Sequence, residues 1–236
     1  MKEPPLSYHI FPLGDSALTV DFGNRMDEAI NRQVIARFHQ LRHQQLPGLV
    51  EVVPAFSSLA VYYDPVFIRK WVKEGQTAFD YVSTLLLELL RTETGIQEEQ
   101  SRLVRIPVCY DPSLAPDLEE MAQAKELSAE QLTTLHTGRI YRVYMLGFLP
   151  GFAYMGEVDE QLMTPRKQQP HPVRPGSVGI AGRQTGIYPF ASPGGWNIIG
   201  RTPVQLFNRN RALPTLLQAG DRVQFYAIDK YEFAHY

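Results

Sequence analysis

Hydrophobic positions in the first ninety residues switch between two periods. Residues 17–22 (ALTVDF) alternate apolar and polar after a Gly14–Asp15 turn, the pattern of a half-buried strand. From about residue 26 to 46, Ile30, Val34, Ile35, Phe38 and Leu41 recur at helical spacing, and Pro47–Gly48 ends the helix. Residues 49–53 and 58–63 return to strand patterning on either side of Pro54, and Asp64–Pro65 opens a turn. A second helix is predicted over residues 77–91, with Phe79, Val82, Leu86 and Leu89 on its stripe. The order β-α-β-β-α predicts helices layered on a sheet, and such stripes are packing signals that carry no chemistry.

A polar, acidic stretch at residues 92–100 (TETGIQEEQ) then marks a boundary, which divides the chain into expected domains of residues 1–95 and 96–236. Beyond it, residues 102–110 and 139–146 read as strands, and residues 116–124 and 128–135 as short helices, the second opened by a Ser128–Gln131 capping box. From Gly147 to Pro203 the texture changes: 10 of the 17 glycines and 8 of the 18 prolines fall there, a density that excludes long helices. Short β-prone runs remain at 177–181, 186–189, 197–199 and 204–207, and residues 222–227 form a last strand after an Ala219–Gly220–Asp221 turn. Many short strands joined by turns predict a closed or nearly closed β-barrel. The fold class expected is therefore an α+β N-terminal domain followed by a β-barrel domain.

Composition narrows the function classes. With 236 residues, 44% hydrophobic and 20% charged, the chain has the make-up of a globular protein of one or two domains. Its apolar runs are a few residues long, far short of the ~18–20 a membrane helix needs. Pro4–Pro5 and Gly14 stand where a signal peptide would need an apolar helix, so the expected location is cytoplasmic. A single cysteine, Cys109, excludes an internal disulfide and a multi-cysteine zinc site. His39 and His43 are spaced i, i+4 on a helix but lack a carboxylate on the same face, and no metal is expected. No Gly-Lys dipeptide, G-x-S-x-G elbow or H-E-x-x-H motif occurs. Neither nucleic acid nor a membrane is an expected partner.

Charge is more informative in its distribution than in its total of −2. No Asp or Glu occurs between Glu160 and Asp221, a stretch that carries Arg166, Lys167, Arg174, Arg183, Arg201, Arg209 and Arg211. The rest of the chain then holds 16 basic residues against 25 acidic ones, a net −9. The basic stretch either faces an anionic ligand or pairs with acids from neighbouring strands.

Three segments of this stretch and its approach concentrate chemistry: residues 146–156 (LGFLPGFAYMG), 174–186 (RPGSVGIAGRQTG) and 193–202 (PGGWNIIGRT). Phe148, Pro150, Phe152, Tyr154, Tyr188 and Trp196 are candidate walls of a pocket, or else barrel-core aromatics. Arg166, Arg174, Arg183, Gln184, Asn197 and Arg201 are candidates to bind a substrate or anion, since guanidinium and amide groups suit a carboxylate, phosphate or flat amide. No catalytic residue is identifiable, and the lack of acids there implies a shared active site.

These segments, with GDSALTVDFG near the start and AGDRVQF near the end, resemble the family variously called allophanate hydrolase subunit 1, KipI and the 5-oxoprolinase B subunit, over nearly the whole chain. The chain departs from many relatives in having AGRQTG, with Arg183, where a small residue is usual. The resemblance implies a cyclophilin-like β-barrel as the second domain. It implies a role as the B subunit of an ATP-dependent 5-oxoprolinase, which opens the lactam of 5-oxo-L-proline to L-glutamate together with its A subunit and a paralogous C subunit. ATP is then a cofactor of the complex, with no ATP binding assigned to this chain. The alternatives it implies are an inhibitor of a sporulation histidine kinase and a carboxyltransferase component of the urea carboxylase or allophanate hydrolase type. Prolyl isomerase activity is a third reading that rests on fold analogy alone.

Overall fold

In a computed structural model of the chain, which describes residues 7–91 and 101–236, the alternating segments of the first part pair into one antiparallel sheet. Its strands and helices are β1 (His9–Pro12), β2 (Ala17–Asp21), α1 (Glu28–Gln44), β3 (Leu49–Pro54), β4 (Ser58–Tyr63), α2 (Pro65–Ile68) and α3 (Ala78–Arg91). The sheet order is β1-β2-β4-β3. Ile30, Val34 and Leu41 of α1, with Val82, Leu86 and Leu90 of α3, pack on Leu18, Val20, Leu59 and Val61. Each such side chain contributes about 1.5–3 kcal/mol on full burial. The stripe of α3 reaches its full depth at Leu90, while Leu89 is half-buried. Strand β1 shows no alternation because three of its four residues are exposed. The turn predicted at Asp64–Pro65 is the N-cap of α2, where the Asp64 carboxylate accepts from the amides of Val66 and Phe67 at 2.9 and 3.0 Å.

The chain divides into two compact units, Met1–Gln100 and Ser101–Tyr236. The boundary expected at residues 92–100 and the Pro4–Pro5 pair both lie outside the described residues.

The second unit contains β5 (Leu103–Cys109), α4 (Leu118–Ala124), α5 (Ala129–Thr137), β6 (Ile140–Leu146), β7 (Ala153–Gly156), β8 (His171–Val173), β9 (Ser177–Ala181), β10 (Gln184–Ile187), β11 (Ser192–Gly194), β12 (Asn197–Arg201), β13 (Arg222–Ile228) and α6 (Lys230–Ala234). Seven of the strands close into a barrel in the order β10-β7-β6-β13-β5-β12-β9, and β9 pairs with β10 to complete it. All of these pairings are antiparallel except β5 with β13. The predicted capping box of α5 is present, with the Gln131 amide donating to Ser128 Oγ at 3.1 Å and the Ser128 amide to Gln131 Oε1 at 2.7 Å.

Some elements differ from the sequence expectation. Residues 204–207 form no strand: Pro203 lacks an N–H, Val204 donates to the Thr202 hydroxyl at 3.2 Å, and only an isolated bridge joins Phe207 to Thr215. Strands β8 and β11 pair with each other outside the barrel, and their central residues, Pro172 and Pro193, lie opposite one another. Prolines at both centres hide such strands from pattern reading.

A histidine lies inside the second unit. His136, at the end of α5, is fully buried and stacks on Phe225 at 4.7 Å between ring centroids. Thr185 Oγ1 donates to Gly179 O at 3.1 Å, so in its 3.0 Å contact with His136 Nε2 the hydroxyl accepts. The proton therefore sits on Nε2, and Nδ1 accepts from the Tyr110 hydroxyl at 2.7 Å. Burial drives the His136 pKa from 6.5 to about 3.

This shift predicts acid sensitivity. The unfolded chain takes up a proton at His136 near pH 6.5 while the folded chain resists it until about pH 3. Stability present above pH 6.5 is therefore lost progressively as pH falls towards 3. Urea unfolding of wild type and His136→Gln between pH 4 and 7 checks this: the variant is less stable at pH 7, by about 1–3 kcal/mol for an imperfectly bonded buried group, and its stability falls less on acidification. Equal acid dependence in the two proteins would remove His136 as its source.

Candidate functional site

The glycine- and proline-rich loop ahead of β7 folds back tightly. Gly147 N donates to Phe152 O at 3.2 Å, and Phe152 N to Leu149 O at 2.9 Å. Phe148 takes a left-handed backbone, φ +68°, and the residue is 60% exposed. A side chain that is neither Gly nor Asn stays in that conformation only when its surroundings hold it. Phe148 meets Phe152 and Tyr188 edge-on, at 5.6 and 6.3 Å between centroids.

Phe152 is buried at the centre of an aromatic cluster. Tyr154 lies 4.8 Å from it, Tyr188 5.1 Å and Trp196 5.4 Å, all in edge-to-face geometry. Gly194 permits this packing: a Cβ there would sit 2.4 Å from the Tyr188 hydroxyl. Tyr188 is anchored by its backbone, whose N–H donates to Ser177 O at 2.9 Å and whose carbonyl accepts from Gly176 N at 2.7 Å.

Arg166 completes the cluster at its solvent edge. Its guanidinium carbon lies 5.9 Å from the centroid of the Trp196 ring, within cation–π range. Burial raises the phenol pKa of Tyr154, and the positive charge of Arg166 opposes that shift in part. The Tyr188 pKa is also raised by burial, against the opposing effects of the Trp196 amide and Arg166. Both phenols therefore stay protonated at neutral pH. The cluster offers a cation, phenols and ring faces, and among its described residues there is no carboxylate or imidazole.

The other candidates are placed differently. Asn197 Nδ2 donates to Pro165 O at 3.0 Å and Ile180 O at 3.2 Å, which makes it a tie between the backbone beside Arg166 and β9. Arg183, in the exposed turn between β9 and β10, donates to Glu157 Oε2 at 2.5 Å. That contact is a carboxylate pair, one of the two arrangements expected for the basic stretch. Arg201 donates from Nε to Pro175 O at 2.8 Å, and its guanidinium lies over the Phe233 ring of α6 at 5.6 Å. Gln184 is half-buried at the start of β10, and Arg174 and Pro150 are exposed. The structure thus gathers Phe148, Phe152, Tyr154, Tyr188, Trp196 and Arg166, with Asn197 as their support.

Two residues absent from the sequence candidates belong to the same region. Lys167 Nζ pairs with Asp117 Oδ1 at 2.6 Å, and Asp117 Oδ2 accepts from the Ile198 amide, also at 2.6 Å. Fifty residues separate Asp117 from Lys167, and no local pattern links them.

Gly194→Ala should force Tyr188 out of the cluster and destabilise the chain by about 1–3 kcal/mol. The near-UV circular dichroism of the aromatic residues should weaken with it. An unchanged spectrum and stability would show that the cluster has room for the added methyl group.

Comparison with known proteins agrees with this architecture. The family described as carboxyltransferase domain, subdomain C and D, matches residues 8–217. A 5-oxoprolinase B subunit of Bacillus subtilis is 43% identical over 231 residues, covering 97% of this chain and 96% of that protein. One of Haemophilus influenzae is 40% identical, covering 92% of this chain and 96% of its own length. The crystal structure of TTHA0988 superposes with a TM-score of 0.76 at 39% identity, over 90% of this chain but 40% of that protein, so this chain spans about two fifths of its length. The chain therefore belongs to the carboxyltransferase domain, subdomain C and D, family, and is related to the 5-oxoprolinase B subunit over almost its whole length.

Proposed function

We propose that this chain is the B subunit of an ATP-dependent 5-oxoprolinase and acts in the cytoplasm with the A and C subunits to hydrolyse 5-oxo-L-proline to L-glutamate. The observation that carries this reading is the exposed Arg166 guanidinium held over the Trp196 ring at the edge of an aromatic cluster. A small planar lactam with a carboxylate on its ring matches those groups: the guanidinium takes the carboxylate in a forked pair, and the ring lies against aromatic faces. The relatives named as 5-oxoprolinase B subunits support the same reading. We also read the closed barrel as cyclophilin-like.

Amide resonance makes the lactam a poor electrophile, and phosphoryl transfer from ATP to the amide oxygen, with release of ADP, would activate it. Water would then add to the ring carbon, the C–N bond would break with a proton passing to the released amine, and a second water would hydrolyse the remaining acyl phosphate to the carboxylate and inorganic phosphate. Arg166 and the aromatic cluster hold the substrate by the end that does not react. The protonated Tyr154 and Tyr188 can donate hydrogen bonds but cannot act as bases at neutral pH. The other two components of the complex therefore supply the acid–base groups, and the isolated chain should not turn over substrate. The glycine-rich turns follow no phosphate-loop pattern, and no ATP contact is assigned to them.

Reconstitution with the A and C subunits, ATP and 5-oxoproline tests the proposal. Omission of this chain should abolish glutamate formation. Arg166→Lys, which keeps the charge and loses the fork, should raise KM for 5-oxoproline about tenfold with a smaller change in kcat. Full glutamate production without this chain would overturn the reading.

A further inference from the structure

Asp117 stands at the N-cap of α4, where an Asp ordinarily accepts a hydrogen bond from its own helix and stabilises it. Here the side chain makes no such bond. Both carboxylate oxygens turn away from the helix, one to the Lys167 ammonium and the other to the Ile198 amide, each at 2.6 Å. The backbone adds a third link, Asp117 N donating to Ile198 O at 3.0 Å. Strand β12 and the segment that follows Pro165 are thus fastened to the same residue.

These two attachment points bracket the Arg166–Trp196 pair. Arg166 lies between Pro165, whose carbonyl is held by Asn197, and Lys167, whose amide donates to Gly195 O at 2.8 Å. Trp196 lies two residues before Ile198 on the neighbouring segment. The carboxylate is mostly shielded, with 13% of its side chain exposed against 28% for Lys167, so the pair is less screened than a surface ion pair. A capping interaction given up for two charge-assisted contacts across the fold indicates that the position of these segments is what the residue serves.

We propose that Asp117 is a positioning residue for the Arg166–Trp196 pair, acting through the Lys167 ammonium and the Ile198 amide, and that it thereby sets recognition of a ring-bound carboxylate. This rests on the assignment of Arg166 to the substrate carboxylate. Asp117 does not touch the substrate itself.

The test uses the full chain labelled with 5-fluorotryptophan. Its two tryptophans give two fluorine resonances, assigned with Trp71→Phe. The Trp196 resonance is followed without ligand and during titration with 5-oxoproline and with 2-pyrrolidinone, a lactam that lacks the carboxylate. Asp117→Asn and Lys167→Met should both shift the Trp196 resonance of the free protein and leave that of Trp71 in place. Both should weaken 5-oxoproline binding about tenfold, with little effect on 2-pyrrolidinone. The two substitutions change net charge in opposite directions, so a simple field effect would move affinity for the anion in opposite directions, whereas lost positioning moves it the same way. Lys167→Arg keeps the pair and should bind like wild type.

An Asp117→Asn protein with the wild-type Trp196 resonance, or opposite shifts in affinity for the two variants, would overturn the proposal. If Asp117→Asn does not fold, Lys167→Met alone decides by the same two readouts. Wild-type protein that does not prefer 5-oxoproline to 2-pyrrolidinone would instead overturn the carboxylate role of Arg166, and the ligand-free resonance would still decide whether Asp117 places Trp196.

Discussion

Closure of the barrel depends on one pairing between the ends of the second unit. Strands β5 and β13 run parallel through seven register pairs, from Leu103 with Arg222 to Cys109 with Ile228. The Arg102–Asp221 ion pair, 2.6 Å long and 119 residues apart in sequence, sits at the start of this pairing. Asp221 is largely shielded and also accepts from the Gln218 amide at 2.9 Å, so the turn ahead of β13 is fixed with it. Bringing such distant segments together costs loop entropy, which is recovered only when the antiparallel neighbours β6 and β12 join on either side. Once closed, the barrel leaves none of its strands with an unpaired edge.

The glycine-rich loops acquire definite shapes on that frame. Gly176 has φ +81°, and a Cβ there would lie 2.2 Å from Thr202 O, so the segment before β9 can pass against the end of β12 only with glycine. Phe152 and Trp196 come from different loops, and they meet because β7, β9, β10 and β12 are neighbours around the barrel. The cluster is in this sense a consequence of strand order, and the ties at Asn197 and Asp117 refine it locally.

Basic residues in the acid-free stretch divide by what lies within reach. Arg183 finds Glu157 from just outside the stretch, Lys167 finds Asp117, and Arg201 finds a carbonyl and a ring. Arg166, which is exposed, is placed over an indole. The same run of basic residues thus contains an exposed pair at Arg183, which contributes little to stability, a more shielded pair at Lys167, and a guanidinium set over an indole at Arg166.

Local period and turn chemistry made much of the fold legible in the sequence. The stripes of α1 and α3, the capping box of α5, the strands β2 to β6 and the many-stranded character of the second half all follow from forces between residues a few positions apart. The aromatic residues of the candidate site were visible as types clustered in glycine-rich segments. Strands β8 and β11, centred on prolines, and β1, with no buried face, left no periodic trace because only pairing defines them. Asp117, Lys167 and the Arg183–Glu157 pair were equally hidden, since an ion pair across 26 or 50 residues has no spacing rule. The sequence by itself determined which segments alternate, coil or turn, because those preferences are local. Which arginine faces an indole and which faces a carboxylate was decided only by barrel closure, because that depends on which distant strands become neighbours.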